Sequence, residues 1–244
     1  MKLTPDLIES ALSYLNPLKE RELDLRGQHI DSIENLGVAG PHDAIDFTDN
    51  DVSVLGNFPL SPRITTLLLA RNRVSSIQPA LGKAIPNLQN LVLASNDLAE
   101  LADLDVLGLF ARLTHLVLTD NPVTKLQHYR YWVLWRCPSV RFLDYQKVKD
   151  VEREKSRELF GSAEEPTALA TKILSKKSSF FERSAANGSA QSKLSRIKLT
   201  PAERKRIQER IQNATNLQEI MALEKELNEG RLPSGIHDDD VMQE

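Results

Sequence analysis

The sequence predicts an α/β solenoid, a parallel sheet laid down one short strand per turn with other segments closing its back. Three observations predict it. An apolar-x-apolar triplet followed three residues later by Asn or Gln occurs five times: Leu23-Asp24-Leu25 with Gln28, Ile45-Asp46-Phe47 with Asn50, Leu67-Leu68-Leu69 with Asn72, Leu91-Val92-Leu93 with Asn96, and Leu116-Val117-Leu118 with Asn121. The amide-bearing positions are 22, 22, 24 and 25 residues apart, which is the period of a leucine-rich repeat. Only 5 % of the 244 residues are aromatic while 41 % are hydrophobic, a composition suited to a core of thin, repeated leucine layers.

The chain opens on Thr4-Pro5-Asp6, an N-cap, a proline at the first helical position and an acid in the first turn. Leu7, Ile8, Ala11, Leu12 and Leu15 then fall on one face of a helical N-cap to the solenoid. Each L-x-L is a short strand with its leucines inward and the intervening residue on the opposite face. The following Asn has the side chain to bond backbone groups where the chain turns out of the strand. Ile33, Leu55, Ile77 and Leu101 close the layers from behind. One repeat cannot bury its own apolar face, so neighbours stack and the ends require caps. Gln28 in place of Asn marks an atypical first repeat.

At the far end, residues 128–134 read as an aromatic helix, and Val140 and Leu143 repeat the layer spacing once more as a C-terminal repeat cap. Trp132 and Trp135 either seal the last layer or mark a ligand site. After Gly161 the pattern stops. Residues 151–244 carry 16 basic and 16 acidic residues, but residues 172–210 hold 11 basic against 3 acidic. This block reads as a phosphate-contacting or nuclear-import segment, or as a solvated linker. Thr200-Pro201-Ala202-Glu203 and Thr215-Asn216-Leu217-Gln218 are capping boxes that open two short helices. The expected organisation is a repeat domain with caps over 1–160 and a basic flexible linker over 161–199. A short helical docking element over 200–230 and an acidic tail over 231–244 follow, so the tail is mostly disordered with short helices.

The charge of −3 argues against a uniformly basic nucleic-acid binder. No apolar run is long enough for a membrane span, no signal-peptide stretch opens the chain, and a single cysteine fits a reducing compartment. Glycine-rich phosphate loops, nucleophile elbows and metal-spaced Cys or His pairs are missing from the sequence. No cofactor, metal or catalytic residue is therefore expected. Cys137 reads as a buried cap residue rather than a nucleophile, and the acids between Asp46 and Asp51 lack the glycine and distal glutamate of a calcium loop. The expected chemistry is recognition.

Several segments resemble the U2 small nuclear ribonucleoprotein A-prime family: residues 21–27 (RELDLRG), 33–37 (IENLG), 43–47 (DAIDF), 121–124 (NPVT), 128–130 (HYR) and 143–149 (LDYQKVK). The resemblance runs almost continuously over 1–160 and weakly over 200–233. It implies a nuclear, non-enzymatic spliceosomal protein. The family binds the RRM-containing B-double-prime protein, and the pair holds a U2 snRNA stem-loop. Other spliceosomal proteins are expected to dock on the C-terminal helices.

The residues flanking the strand leucines suit that role. Glu22, Asp24, Arg26, Asp46, Thr48, Leu68, Asn90, Val92, His115, Val117, Phe142 and Asp144 are expected on the concave face as the partner surface, acidic at one edge and apolar in the middle. Such a surface suits an amphipathic, partly basic helix. RNA contact is expected to be electrostatic, through Lys147, Lys149 and Arg153, because the sequence shows no RRM signature and no aromatic platform for unpaired bases. The rival readings are a leucine-rich adaptor of the phosphatase-regulator or histone-binding type with no RNA role, and an enzyme subunit that positions a substrate.

Overall fold

The computed structural model describes residues 2–162 and 165–175. The expected helices of 200–230, the acidic tail and all of the linker beyond Ser175 lie outside the described residues.

Helix α1 (Pro5–Ser10) begins as its cap dictates, with the Thr4 hydroxyl accepting the Leu7 N–H at 3.3 Å. It ends earlier than the apolar spacing implies. Ala11 is extended (ψ 145°) and the chain enters strand β1 (Leu12–Leu15), antiparallel to β2 (Arg21–Asp24). Leu12 and Leu15, expected in the helix, are instead 71 % and 72 % exposed. The spacing of Ile8, Leu12 and Leu15 imitates a helical period, but the first repeat needs an edge strand to close its sheet, and pairing decides the conformation.

The repeats then follow. Strands β3 (Ala44–Asp46), β5 (Thr66–Leu68), β7 (Asn90–Val92), β8 (His115–Val117) and β9 (Phe142–Leu143) line the concave side in parallel with β2, while β4 (Val54–Leu55) and β6 (Ser76–Ile77) pair behind them. Strand β10 (Gln146–Lys147) closes the far edge antiparallel to β9. Helix α2 (Leu81–Ala84) and the 3₁₀ turns at Leu36–Val38, Leu101–Leu109 and Pro122–Lys125 form the back. Leu23, Ile45, Leu67, Leu91, Leu116 and Leu143 stack through the core almost without exposure, each contributing about 2 kcal/mol by leaving water.

The buried Asn residues join one layer to the next. Asn50 Nδ2 donates to Leu25 O and its Oδ1 accepts from Ile30 N–H; Asn72 does the same with Phe47 O and Val52 N–H. Asn96 repeats the pattern with Leu69 O and Val74 N–H, and Asn121 with Leu93 O and Leu98 N–H. Each Asn therefore satisfies buried backbone groups of the preceding turn. Gln28 has no preceding repeat to serve and is exposed. The residue before each amide (Gly27, Asp49, Arg71, Ser95, Asp120) has φ between 53° and 66°, so every turn leaves its strand through the same left-handed step.

Beyond the last repeat, helix α3 (Tyr129–Arg136) brings Trp132 into the core, against Trp135 and Phe160 with ring centroids 5.1 Å from each. Both tryptophans thus seal the final layer, and Trp135 Nε1 donates to Gly161 O. Helix α4 (Asp150–Phe160) lies on α3 through the Arg130–Glu152 pair (2.7 Å) and the Ser156 hydroxyl to Tyr131 O. Helix α5 (Ala168–Ser175) then packs on the back of the solenoid, with Ala170 buried. Ordered structure thus continues past residue 160 into the stretch expected to be linker.

Candidate partner interface on the concave face

The strand register arranges the concave side chains in rows. One row runs Glu22, Ala44, Thr66, Asn90, His115, Phe142, and the next Asp24, Asp46, Leu68, Val92, Val117. Nine of the twelve sequence-predicted partner residues are in these rows, while Arg26, Thr48 and Asp144 follow two residues beyond Asp24, Asp46 and Phe142. The antiparallel edge adds two residues that were missed: Leu12 pairs opposite Asp24 and Tyr14 opposite Glu22, so both extend the face. The helical reading hid Leu12, Tyr14 carried no signal of its own, and only the pairing of β1 reveals their side.

The first end of the face is acidic and ordered by hydrogen bonds. Tyr14 Oη donates to Glu22 Oε1 at 2.8 Å and Asn16 Nδ2 to Glu22 Oε2 at 2.9 Å. Asn16 also donates to Glu20, whose other oxygen accepts the Thr65 and Thr66 hydroxyls. Arg26 forks onto Asp24 (2.9 and 2.5 Å) and lies 3.7 Å from Asp46. The guanidinium holds Asp24 below the ordinary carboxylate range, whereas burial pushes Asp46 above it. Asp46 is only 6 % exposed and accepts the Thr48 N–H. It faces the concave side yet is covered by its neighbours, so it also serves the fold.

The middle of the face is apolar. Leu68 and Val92 are half-buried and Val117 is buried, with Ala70 and Ala94 beside them. At the far end His115 and Phe142 stack with centroids 4.9 Å apart, an exposed aromatic surface the sequence did not disclose. Asp144 turns inward: its carboxylate accepts the Leu118 N–H at 2.7 Å and the Tyr129 hydroxyl at 2.9 Å.

The three expected RNA contacts separate. Lys147 on β10 and Lys149 before α4 are exposed. Arg153 instead donates to Pro138 O (2.9 Å) and Val140 O and fastens α4 to the last repeat. Among the described residues no cluster of His, Cys, Asp and Glu has metal-ligating geometry, and no helix is long and apolar enough to cross a membrane.

This architecture defines a leucine-rich repeat protein, and a leucine-rich repeat family model matches residues 1–174. The whole chain is 68 % identical to the whole of the Neurospora crassa U2 small nuclear ribonucleoprotein A′. It is 40 % identical to the Homo sapiens protein of that name, over 96 % of this chain and 90 % of the human one. A crystal structure of the Drosophila melanogaster SNF/U2A′ complex matches 67 % of this chain and 95 % of its own at 43 % identity, with a TM-score of 0.64. The chain belongs to the U2 small nuclear ribonucleoprotein A′ family.

Proposed function

We propose that this protein is a non-catalytic component of the U2 small nuclear ribonucleoprotein, acting in pre-mRNA splicing in the nucleus. Its concave face seats the RRM-containing B-double-prime protein, and together they hold a U2 snRNA stem-loop. One observation carries the reading. A contiguous apolar strip, Leu68–Val92–Val117, lies across three adjacent strands with an acidic margin at Glu22, Asp24 and Asp46. A surface of that size and polarity suits an amphipathic helix with basic residues laid into the curve. The names of the relatives and the SNF/U2A′ complex support it.

RNA is held chiefly by the partner. Lys147 and Lys149 neutralise phosphates from the side, which positions the stem without reading its sequence. The helices expected over 200–230 dock other spliceosomal proteins. Purification of the tagged full chain, with sequencing of bound RNA and identification of bound proteins, tests the proposal. Co-recovery of U2 snRNA with an RRM protein is expected. Recovery of a phosphatase or histones without RNA overturns the reading in favour of an adaptor.

A further inference from the structure

The first concave row does not end at Phe142. Across the antiparallel pair of β9 and β10, Lys147 is the register partner of Phe142, so its side chain continues the same face. The row therefore passes from a carboxylate at Glu22 to an aromatic pair and an exposed ammonium at the other end.

His115 and Phe142 are 27 residues apart in sequence, yet their ring planes lie within 4° of parallel and their centroids 4.9 Å apart. That separation matches the inter-strand spacing of about 4.8 Å. The two rings consequently stand up from neighbouring strands like adjacent pages. Both residues are exposed, Phe142 at 38 %. Tyr145, in the turn leading to Lys147, is 76 % exposed, and Arg141 is exposed beside Phe142. The acid of this segment, Asp144, is committed inward to Leu118 N–H and the Tyr129 hydroxyl.

We infer that this end of the face is a nucleotide subsite, where an unpaired base of single-stranded RNA stacks on the Phe142–His115 pair and Lys147 meets its phosphate. An aromatic stack accepts any base as a further page, because every base has a π-face. The ammonium at the next strand position supplies the charge that a phosphate requires and that an apolar helix face would leave unmatched. The acidic far end of the same row repels phosphate, so the polarity of the face places RNA here. The inference rests on the reading above, that this chain works beside an RNA-binding partner, and refines it. The chain makes a base contact of its own, in addition to phosphate contacts.

The test uses the full chain, alone and bound to the RRM-containing B-double-prime protein, titrated with fluorescein-labelled hexauridylate and hexaadenylate at about 50 mM salt. Saturable binding is expected. Phe142→Leu, which keeps apolar volume, and His115→Ala each weaken it about five-fold or more. Lys147→Ala lowers the slope of log K against log salt by roughly 0.7. Absence of binding, or binding unchanged in the Phe142→Leu/His115→Ala double variant, overturns the subsite. Loss of partner binding in that variant with RNA binding unchanged assigns these rings to the protein interface, overturning the subsite while the splicing reading stands. Failure of the wild-type chain to bind the RRM protein sinks that broader reading instead, and the oligonucleotide titration still decides the subsite.

Discussion

Replacing Asn72 with Leu isolates the stabilising device of the repeat, because it keeps most of the side-chain volume and deletes only the polar atoms. The buried Asn72 side chain accepts the Val52 N–H at 3.0 Å and donates to Phe47 O at 2.8 Å. Without it the buried Val52 N–H of the preceding turn loses its partner, at about 1–3 kcal/mol, while Phe47 O keeps Asn50 Nδ2 at 2.8 Å. The loss should therefore be about 1–3 kcal/mol, a substantial part of a stability of about 5–15 kcal/mol for a typical domain. Urea unfolding followed by far-UV circular dichroism measures it, and an unchanged m-value confirms that stability alone has moved. Gln28→Leu is the control. Its side chain is exposed and reaches only Arg26 O at 3.3 Å, so its effect should stay within about 0.5 kcal/mol. A cost below about 1 kcal/mol for Asn72→Leu, or an equal cost at Gln28, would refute the ladder as a source of stability.

Trp132→Ala should cost about 3–5 kcal/mol in the same assay, since the indole is fully buried between Trp135 and Phe160; an unchanged midpoint would contradict that packing. Burial holds the His42 imidazole below its ordinary range, and it bonds the Ser13 hydroxyl at 3.0 Å. The unfolded chain takes up that proton near pH 6.5 and the folded one only lower, so stability should fall as pH drops below about 6.5. His42→Gln should flatten that window, and an equally steep fall in the variant would assign it to other groups. Burial pushes the Cys137 thiol up to about 12. Iodoacetamide at pH 8 should leave the native protein unmodified and alkylate it only in denaturant, and rapid native labelling would show an open cap.

The layers were legible because each position of the repeat answers one local need: leucine for the core, an amide for the turn. Five matched triplets hold their phase over about a hundred residues, and the concave rows follow from strand alternation. What escaped the sequence depends on pairing partners. Leu12 and Leu15 have helical spacing, but β1 forms because β2 offers an open edge. Asp144 and Arg153 are ordinary exposed-looking residues whose partners, Leu118, Tyr129, Pro138 and Val140, come from other elements. The His115–Phe142 stack needs the register of β8 with β9. The burial of Asp46 comes from crowding by Arg26 and neighbouring strands, which alternation alone does not report.

In the proposed assembly the apolar strip on the concave face seats the RRM partner. Calorimetric titration of the Leu68→Asp/Val92→Asp double variant with the B-double-prime protein tests it most directly, because two half-buried strip residues become charges at the centre of the contact. Affinity should fall by about thirty-fold or more, with thermal unfolding of the isolated variant showing a retained fold. Wild-type affinity in a folded double variant would contradict the placement of the partner on this face.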